Sequence, residues 1–252
     1  MSRGNGMKIC IVGAGGIGGL LAVRFSQAGE EVTVVDQGVH LEAIEAHGLR
    51  LRMADGTESV ATDLRVTGKI SRAGNADLVI LGVKAHQIAD VAPDLPHLYG
   101  SDTTVLTVQN GIPWWYFQRH GGELEGARLQ KLDPAGLITG HIPAERILGC
   151  VAYPACAMAS PGMIHHIEGK RFPVGELDGG VSARATRVAD LFNAAGLKSY
   201  VIEDIRAEIW LKAWGALSFN PISALTRATM VDICQFPGTR KLVANMMKEA
   251  QT

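Results

Sequence analysis

The chain has few cysteines and no excess of charge of either sign. Only four of its 252 residues are cysteines, they are scattered, and none forms a CxxC pair. This pattern speaks against a disulfide framework and against a zinc site, so we expect no bound metal and a location in the cytoplasm. The 24 lysines and arginines nearly balance the 25 aspartates and glutamates. Nucleic-acid-binding proteins show a basic surface, so we expect no nucleic-acid partner.

A long hydrophobic run is also missing. Residues 9–23 are mostly apolar and follow Lys8, as the apolar part of a signal peptide would, but they contain five glycines. The run is also shorter than the about 20 residues that a membrane-spanning helix needs. We therefore expect a strand, a turn and a helix in this segment, and no membrane partner. The hydrophobic content of 47% with a net charge of −1 predicts a folded chain.

Glycine is abundant, with 30 residues that show no collagen-like period. An apolar, β-branched run at 8–12 predicts a buried strand, and residues 20–28 predict a helix that stops at Gly29. Between them stands the motif Gly13-Ala14-Gly15-Gly16-Ile17-Gly18.

A GxGxxG motif between a strand and a helix is typical of dinucleotide binding. In this interpretation Gly13 permits the tight turn, Gly15 lets a pyrophosphate approach the backbone, and Gly18 lets the helix pack close to the strand. The helix N-terminus offers free N–H groups to the phosphates. The alternative is an ordinary strand–turn–helix unit that binds no ligand.

Asp36 ends a second predicted strand at 32–35. A carboxylate at this place normally accepts hydrogen bonds from the adenosine ribose of NAD, and it would repel the 2′-phosphate of NADP. No arginine follows directly, since the next residues are Gln37 and Gly38. The residues themselves therefore favour NAD(H), with a turn-forming aspartate as the alternative.

Two further buried strands are predicted at 77–83 and 103–108, followed by Lys84 and Asn110. Apolar strands that alternate with helices predict a parallel sheet with helices on both faces, and ligands bind at the carboxyl ends of such strands. Lys84 can pair with a phosphate or a carboxylate, and Asn110 can donate and accept hydrogen bonds. The alternatives are a solvated lysine and a simple Asn-Gly turn.

From residue 204 onward the pattern is helical. We predict a dinucleotide-binding domain at 1–203 and the start of a helical domain at 204–252. The fold class is α/β, with a Rossmann-type doubly wound parallel sheet followed by an all-helical C-terminal domain. The chain stops at Thr252 inside a predicted amphipathic helix without a stop signal, which predicts a truncated second domain.

Lys212 and Asn220 lie in the first predicted helix of that domain. On an ideal helix they are about 80° apart around the axis, so they could line one wall of a cleft. Pro221 predicts a kink next to Asn220. A lone lysine on a helix is more often simply solvated.

These motifs together resemble the ketopantoate reductase (2-dehydropantoate 2-reductase) family. The matching pieces occur in the family order and cover nearly the whole chain: the glycine motif, Val83-Lys84-Ala85-His86-Gln87, Gln109-Asn110-Gly111, and Trp210-Leu211-Lys212 continuing to Asn220-Pro221.

The resemblance implies the reduction of 2-dehydropantoate to pantoate by NADPH, a step of pantothenate biosynthesis. It implies that Lys212 donates the proton, that Lys84 helps to hold the cofactor, and that Ala155 approaches it. Asn110 would contact both the nicotinamide ribose and the substrate, and Asn220 would bind the substrate. The expected cofactor-binding residues are Gly13, Ala14, Gly15, Gly16, Ile17, Gly18, Asp36, Lys84, Asn110 and Ala155.

The chain departs from the family pattern in three ways. Ala216 stands where the family usually has an asparagine, and Asp36 and Gln37 stand where it commonly has a basic residue for the NADP phosphate. A serine and a glutamate that grip the substrate would lie beyond Thr252.

These departures keep two other functions open. One is a related NAD(P)-dependent dehydrogenase for another hydroxy acid, which Ala216 and the bulky Trp114-Trp115 pair favour. The other is a non-catalytic dinucleotide-binding sensor, against which Lys212 and Asn220 speak. A helical second domain often supplies an interface, so a homodimer is a further expectation.

Overall fold

The computed structural model describes residues 6–251. Within this range the chain forms two compact units, which divide after Ile205. The first unit is an α/β unit with two sheets, and the second is helical.

The first unit alternates strands with helices along most of its length. Its strands are β1 (Lys8–Val12), β2 (Glu31–Val35), β3 (Leu49–Arg52), β4 (Glu58–Ala61), β5 (Arg65–Thr67), β6 (Ala76–Leu81), β7 (Tyr99–Thr107), β8 (Ile147–Cys150), β9 (Ala155–Ser160), β10 (Met163–Glu168) and β11 (Val174–Gly175). Its helices are α1 (Gly16–Gln27), α2 (Gly38–His47), α3 (Ile88–Val91), α4 (Leu137–His141) and α5 (Ala183–Ala194).

The larger sheet has seven strands in the order β11-β8-β7-β6-β1-β2-β5. All neighbours run parallel except β11, which is antiparallel to β8. The chain adds strands to one side of β1 through β2 and β5, and then to the other side through β6, β7 and β8. This reversal creates a topological switch point between β1 and β6, where open α/β sheets bind their ligands. The α/β class with a helical region after it is thereby confirmed.

A smaller sheet has four strands in the order β4-β3-β10-β9, and α1 lies between the two sheets. Seven residues of α1 are buried, from Gly18 to Val23 and at Phe25. A helix covered on all sides has no polar face, which explains its apolar sequence. The Phe25 ring packs edge-on against Phe192 of α5, with ring centroids 5.1 Å apart.

The second unit contains α6 (Ile205–Thr226), whose first residue still belongs to the first unit, together with α7 (Met230–Gln235) and α8 (Pro237–Glu249). Its small core is formed by Ile222, Ile233 and Val243. The indole N–H of Trp214 donates to the Met247 carbonyl oxygen at 2.7 Å and so joins α6 to α8. No helix within residues 6–251 is long and apolar enough to cross a membrane.

Several segments between the main elements are irregular. Residues 114–145 form mostly turns with the short α4, and a segment that contains Pro154 separates β8 from β9. Residues 198–202 make only isolated bridges, from Lys198 and Val201. Helix α6 contains Pro221 and continues to Thr226.

A buried ion pair joins α5 to the large sheet. Glu176 is 4% exposed and accepts from Arg184 Nε at 2.7 Å, from Arg184 Nη2 at 2.6 Å and from Ser182 Oγ at 2.5 Å. Arg184 also donates to the carbonyl oxygens of Glu145 and Ile147. Burial alone would raise the pKa of Glu176, but the hydrogen bonds from Arg184 and Ser182 and the charge of Arg184 lower it below its usual value.

We expect Glu176→Gln to lower the free energy of unfolding by about 3 kcal/mol, because it leaves the Arg184 charge without its partner. The pKa of Glu176 is lower in the folded chain than in the unfolded one. Its stabilisation is therefore present above the ordinary value of 4.5 and is lost as the pH falls through the folded-state pKa. Urea unfolding at pH 7 and at a series of pH values that extends well below 4.5 measures both effects.

The control is Glu58→Gln, which removes an exposed partner of Arg50 and Arg52. Water screens such pairs, so this variant should change the stability much less. Equal losses for Glu176→Gln and Glu58→Gln would contradict the prediction.

Candidate dinucleotide-binding site

The glycine loop connects β1 to α1 at the switch point of the large sheet. Gly13 has a φ of +92°, a backbone conformation that glycine adopts without strain, and its N–H donates to the Val35 carbonyl oxygen at 2.8 Å. A Cβ atom at Gly13 would lie 2.8 Å from the backbone nitrogen of Val83. The loop is therefore held against the ends of both β2 and β6.

The other glycines of the loop differ in their surroundings. A Cβ atom at Gly18 would collide with the Gly13 carbonyl oxygen, so at this position the backbone of α1 packs directly on the backbone of the loop. A Cβ atom at Gly16 would lie 2.7 Å from the Cys156 carbonyl oxygen, because β9 covers that side. At Gly15 no atom lies within 4 Å of this position. The backbone at Gly15 is therefore the open face of the loop.

This open face fits a pyrophosphate. Gly15 is the N-cap of α1, and the first N–H groups of a helix have no acceptor within the helix. The helix dipole favours an anion at this end, and the first turn of α1 contains no acidic residue that would repel one. Space, donors and charge agree with a bound phosphate group.

Asp36 shapes the loop from the end of β2. Its Oδ2 accepts from the Ala14 N–H at 2.6 Å, and its Oδ1 accepts from the Gln37 N–H at 2.8 Å. The Asp36 N–H donates to the Thr67 carbonyl oxygen at 3.2 Å, so the loop after β5 lies next to it. That loop contains the exposed Lys69.

Lys84 and Asn110 follow β6 and β7 and lie at the same edge of the sheet as the glycine loop. Both are exposed. The Lys84 N–H donates to Gln87 Oε1 at 2.9 Å, and the Gln87 N–H donates to the Lys84 carbonyl oxygen at 2.9 Å. This pair of bonds closes a turn that fixes the backbone of Lys84 and leaves its side chain exposed.

Gln109 was part of the family motif, but no role was predicted for it. Its Nε2 donates to the carbonyl oxygens of Leu81 at 2.5 Å and Val83 at 3.0 Å, which ties the end of β7 to the end of β6. Its Oε1 is buried and has no hydrogen-bond partner among the described residues. The motif at 109–111 therefore contains a residue, Gln109, that joins two strand ends beside Asn110.

Ala155 begins β9, and the carbonyl oxygen of the next residue lies against Gly16. Burial raises the pKa of the Cys156 thiol to about 12. This cysteine therefore stays protonated near neutral pH and is a poor nucleophile.

The structure thus brings the glycine loop, Asp36, Lys84, Asn110 and Ala155 to one edge of the first unit. Lys212 and Asn220 lie on α6 in the second unit, where Lys212 is half-buried and Asn220 is exposed.

A second residue that the sequence analysis did not identify is His40. It is buried in α2 and its ring contacts the Ala14 carbonyl oxygen of the glycine loop. Nothing in its local sequence distinguishes it from a solvated histidine on a helix.

A solvent-open depression of about 760 Å³ lies at the opposite edge, at the amino ends of the strands. Its lining includes Arg65, whose guanidinium donates to the carbonyl oxygens of Arg72 at 2.7 Å and Ala73 at 3.2 Å. Those groups are thus occupied within the chain. Among the described residues, no group of histidine, cysteine, aspartate or glutamate side chains is arranged to hold a metal ion.

Comparison with known proteins identifies the family. The model "Ketopantoate reductase PanE/ApbA" matches residues 9–179, and "Ketopantoate reductase PanE/ApbA C terminal" matches residues 204–252. A 2-dehydropantoate 2-reductase of Mesorhizobium japonicum is 49% identical over 246 residues, which are 97% of this chain and 75% of the relative.

Solved structures agree with this result. A structure from Ralstonia solanacearum, described as a candidate ketopantoate reductase, has a TM-score of 0.91 and 41% identity over 97% of this chain and 75% of that one. A D-mandelate dehydrogenase solved with NADH and anilino(oxo)acetate has a TM-score of 0.80 and 25% identity over 97% of this chain and 72% of that one. The chain therefore belongs to the ketopantoate reductase family of oxidoreductases.

Proposed function

We propose that the chain reduces 2-dehydropantoate to pantoate with a reduced nicotinamide dinucleotide, a step of pantothenate biosynthesis. The observation that carries this proposal is the open backbone at Gly15, at the N-terminus of α1 and at the switch point of a parallel sheet. Family membership and the 49% identical relative support the choice of substrate.

The residues of the first unit divide the binding of the dinucleotide between them. The backbone of residues 13–18 would hold the pyrophosphate, and Asp36 would lie near the adenosine ribose. Lys84 supplies a positive charge at the same edge, and Asn110 would orient the nicotinamide ribose and the substrate. When bound, the dinucleotide supplies the hydride.

Lys212 is the proposed proton donor. Reduction of a ketone adds a hydride to the carbonyl carbon and a proton to the oxygen. An ammonium group positioned near that oxygen stabilises the growing negative charge and then transfers its proton, which gives the alcohol and a neutral amine. Asn220 would bind the substrate. In this proposal residues 1–203 bind the dinucleotide, and residues 204–252 contribute to substrate binding and to a homodimer in the cytoplasm.

For the cofactor we propose NADP(H), as in the family, with NAD(H) as a competitor because of Asp36. The carboxylate of Asp36 disfavours a 2′-phosphate, since like charges repel. Lys69 lies two residues after Thr67, whose carbonyl oxygen accepts from the Asp36 N–H, and provides a charge of the opposite sign on that side. The balance between these two residues would set the preference.

A related hydroxy-acid dehydrogenase is the second candidate function. One observation favours it: the similar D-mandelate dehydrogenase was solved with NADH. Ala216, which replaces the usual asparagine, would also alter the substrate pocket.

We expect Lys212→Ala to lower kcat with 2-dehydropantoate by about 100-fold or more, because the reaction loses its general acid. The Kd for NADPH should stay unchanged. The measurement follows NADPH and NADH oxidation spectrophotometrically, with Lys241→Ala, at an exposed lysine of α8, as the control. Full turnover by Lys212→Ala would rule out the proposed role, whereas binding without turnover on a panel of keto acids would favour the sensor.

We expect Gly15→Ala to raise the Kd for both dinucleotides by about tenfold or more without changing Tm. The added methyl group enters the open space that the pyrophosphate would occupy. Gly18→Ala is the contrasting variant, because its methyl group meets the Gly13 carbonyl oxygen and should lower Tm. Calorimetric titration and thermal unfolding separate the two effects. Unchanged binding by Gly15→Ala would argue against a pyrophosphate at this loop.

We expect Asp36→Asn to strengthen the binding of NADPH relative to that of NADH by about tenfold, measured as the ratio of the two Kd values. The reason is that it removes a negative charge near the 2′-phosphate. Lys69→Gln should shift the ratio in the opposite direction. The matched control is Asp77→Asn, since Asp77 also accepts from a backbone N–H, that of Lys8, but at the amino edge of the sheet. If neither Asp36→Asn nor Lys69→Gln changed the ratio of the Kd values, the roles proposed for Asp36 and Lys69 would be refuted.

A further inference from the structure

We propose that His40 is a positioning residue that holds the glycine loop in the shape that binds the dinucleotide, an inference that rests on the proposed function. His40 is 5% exposed, and both ring nitrogens are engaged. Nε2 lies 2.9 Å from the Ala14 carbonyl oxygen, and Nδ1 accepts from the Gly162 N–H at 2.9 Å.

These two partners determine the tautomer of the ring. A backbone N–H can only donate, so Nδ1 must carry a lone pair toward Gly162. The ring hydrogen is then on Nε2 and is donated to the Ala14 carbonyl oxygen. A flipped ring would place carbon atoms opposite both groups, so a single orientation of His40 satisfies the two bonds.

The Gly162 side of this link is firmly held. Gly162 lies in the turn between β9 and β10 with a φ of +73°, and its carbonyl oxygen accepts from the Arg50 N–H of β3 at 2.9 Å. A Cβ atom at Gly162 would lie 3.1 Å from the Ala43 Cβ of α2. The turn is thus fixed to the smaller sheet and packed on the helix that carries His40.

At Ala14, the hydrogen bond from His40 reaches the glycine loop of the candidate site. Asp36 accepts from the Ala14 N–H, and His40 donates to the Ala14 carbonyl oxygen. The peptide groups before and after Ala14 are therefore both held by side chains, one from the end of β2 and one from α2. The peptide that follows Ala14 contributes the nitrogen of Gly15, the residue with the open face.

The same hairpin also contacts α1 directly. The Cys156 carbonyl oxygen of β9 lies over Gly16, and the Ile164 side chain of β10 lies over Gly19, 2.6 Å from the position of a Cβ atom. These apolar and backbone contacts position the helix. The bonds of His40 add the orientation of the loop peptide, which packing alone does not determine.

The test compares three substitutions with different hydrogen-bonding ability. In His40→Gln the amide nitrogen reaches the place of Nε2 and can still donate to Ala14. In His40→Asn the amide oxygen reaches the place of Nδ1 and can still accept from Gly162. His40→Leu makes neither bond. The control is His47→Leu, an exposed histidine at the end of the same helix.

We expect His40→Leu to raise the Kd and KM for the dinucleotide by about tenfold, the effect of one unsatisfied buried acceptor, with kcat at saturation within about twofold. His40→Gln should recover most of the affinity and His40→Asn should not, although both lower Tm. Calorimetric titration with NADPH and NADH, steady-state kinetics and thermal unfolding give the three readouts.

Other outcomes would overturn the inference. If His40→Leu bound the dinucleotide as tightly as the wild type, the inference would be wrong. It would also be wrong if His40→Gln and His40→Asn lost affinity equally and in proportion to their losses of Tm, because the role of His40 would then be structural only. If the wild-type protein bound neither dinucleotide, the proposed function would fail first, and the inference would fail with it.

Discussion

Backbone contact among three glycines is the constraint on which the candidate site depends. Cβ atoms at Gly18 and at Gly82 would both collide with the carbonyl oxygen of Gly13. Helix α1 and the end of β6 therefore approach the loop more closely than any side chain allows. This packing occupies the inner side of the loop, whereas the space beside the Gly15 backbone is open, so an anion can approach the loop there.

Polar side chains then hold the loop in the position that the glycine packing gives it. Asp36, His40 and Gln109 come from three different segments, and each bonds to backbone at the edge where the strand order reverses. Buried backbone groups need such partners, so these side chains both satisfy the loop and restrict it. A loop that is ordered before binding loses less conformational entropy when the ligand binds, so the binding free energy is more favourable. In the proposed function, this rigidity would contribute to affinity, and the charges of Asp36 and Lys69 would contribute to selectivity.

Much of the large sheet could be predicted from the sequence, and less of the rest. The runs at 8–12 and 32–35 are apolar and β-branched because their strands are covered on both faces, and this signal is local. Strand β5 escaped prediction because it is a short edge strand whose residues are exposed or half-buried. Pro154 lies between β8 and β9, since a proline cannot donate in a ladder. Lys212 and Asn220 remain predictions from the family motif, on a helix of the second unit.

The sequence by itself determined the class of the fold, the glycine loop, and the residues that follow the strands, because each of these depends on neighbours within a few positions along the chain. Tertiary structure alone decided which distant groups complete the loop. His40 meets Gly162 across 122 residues and Ala14 across 26, and Gln109 reaches Leu81 across 28 and Val83 across 26. Hydrogen bonds of this kind form only after the sheets and α1 have packed, so no periodicity or motif near His40 could indicate them.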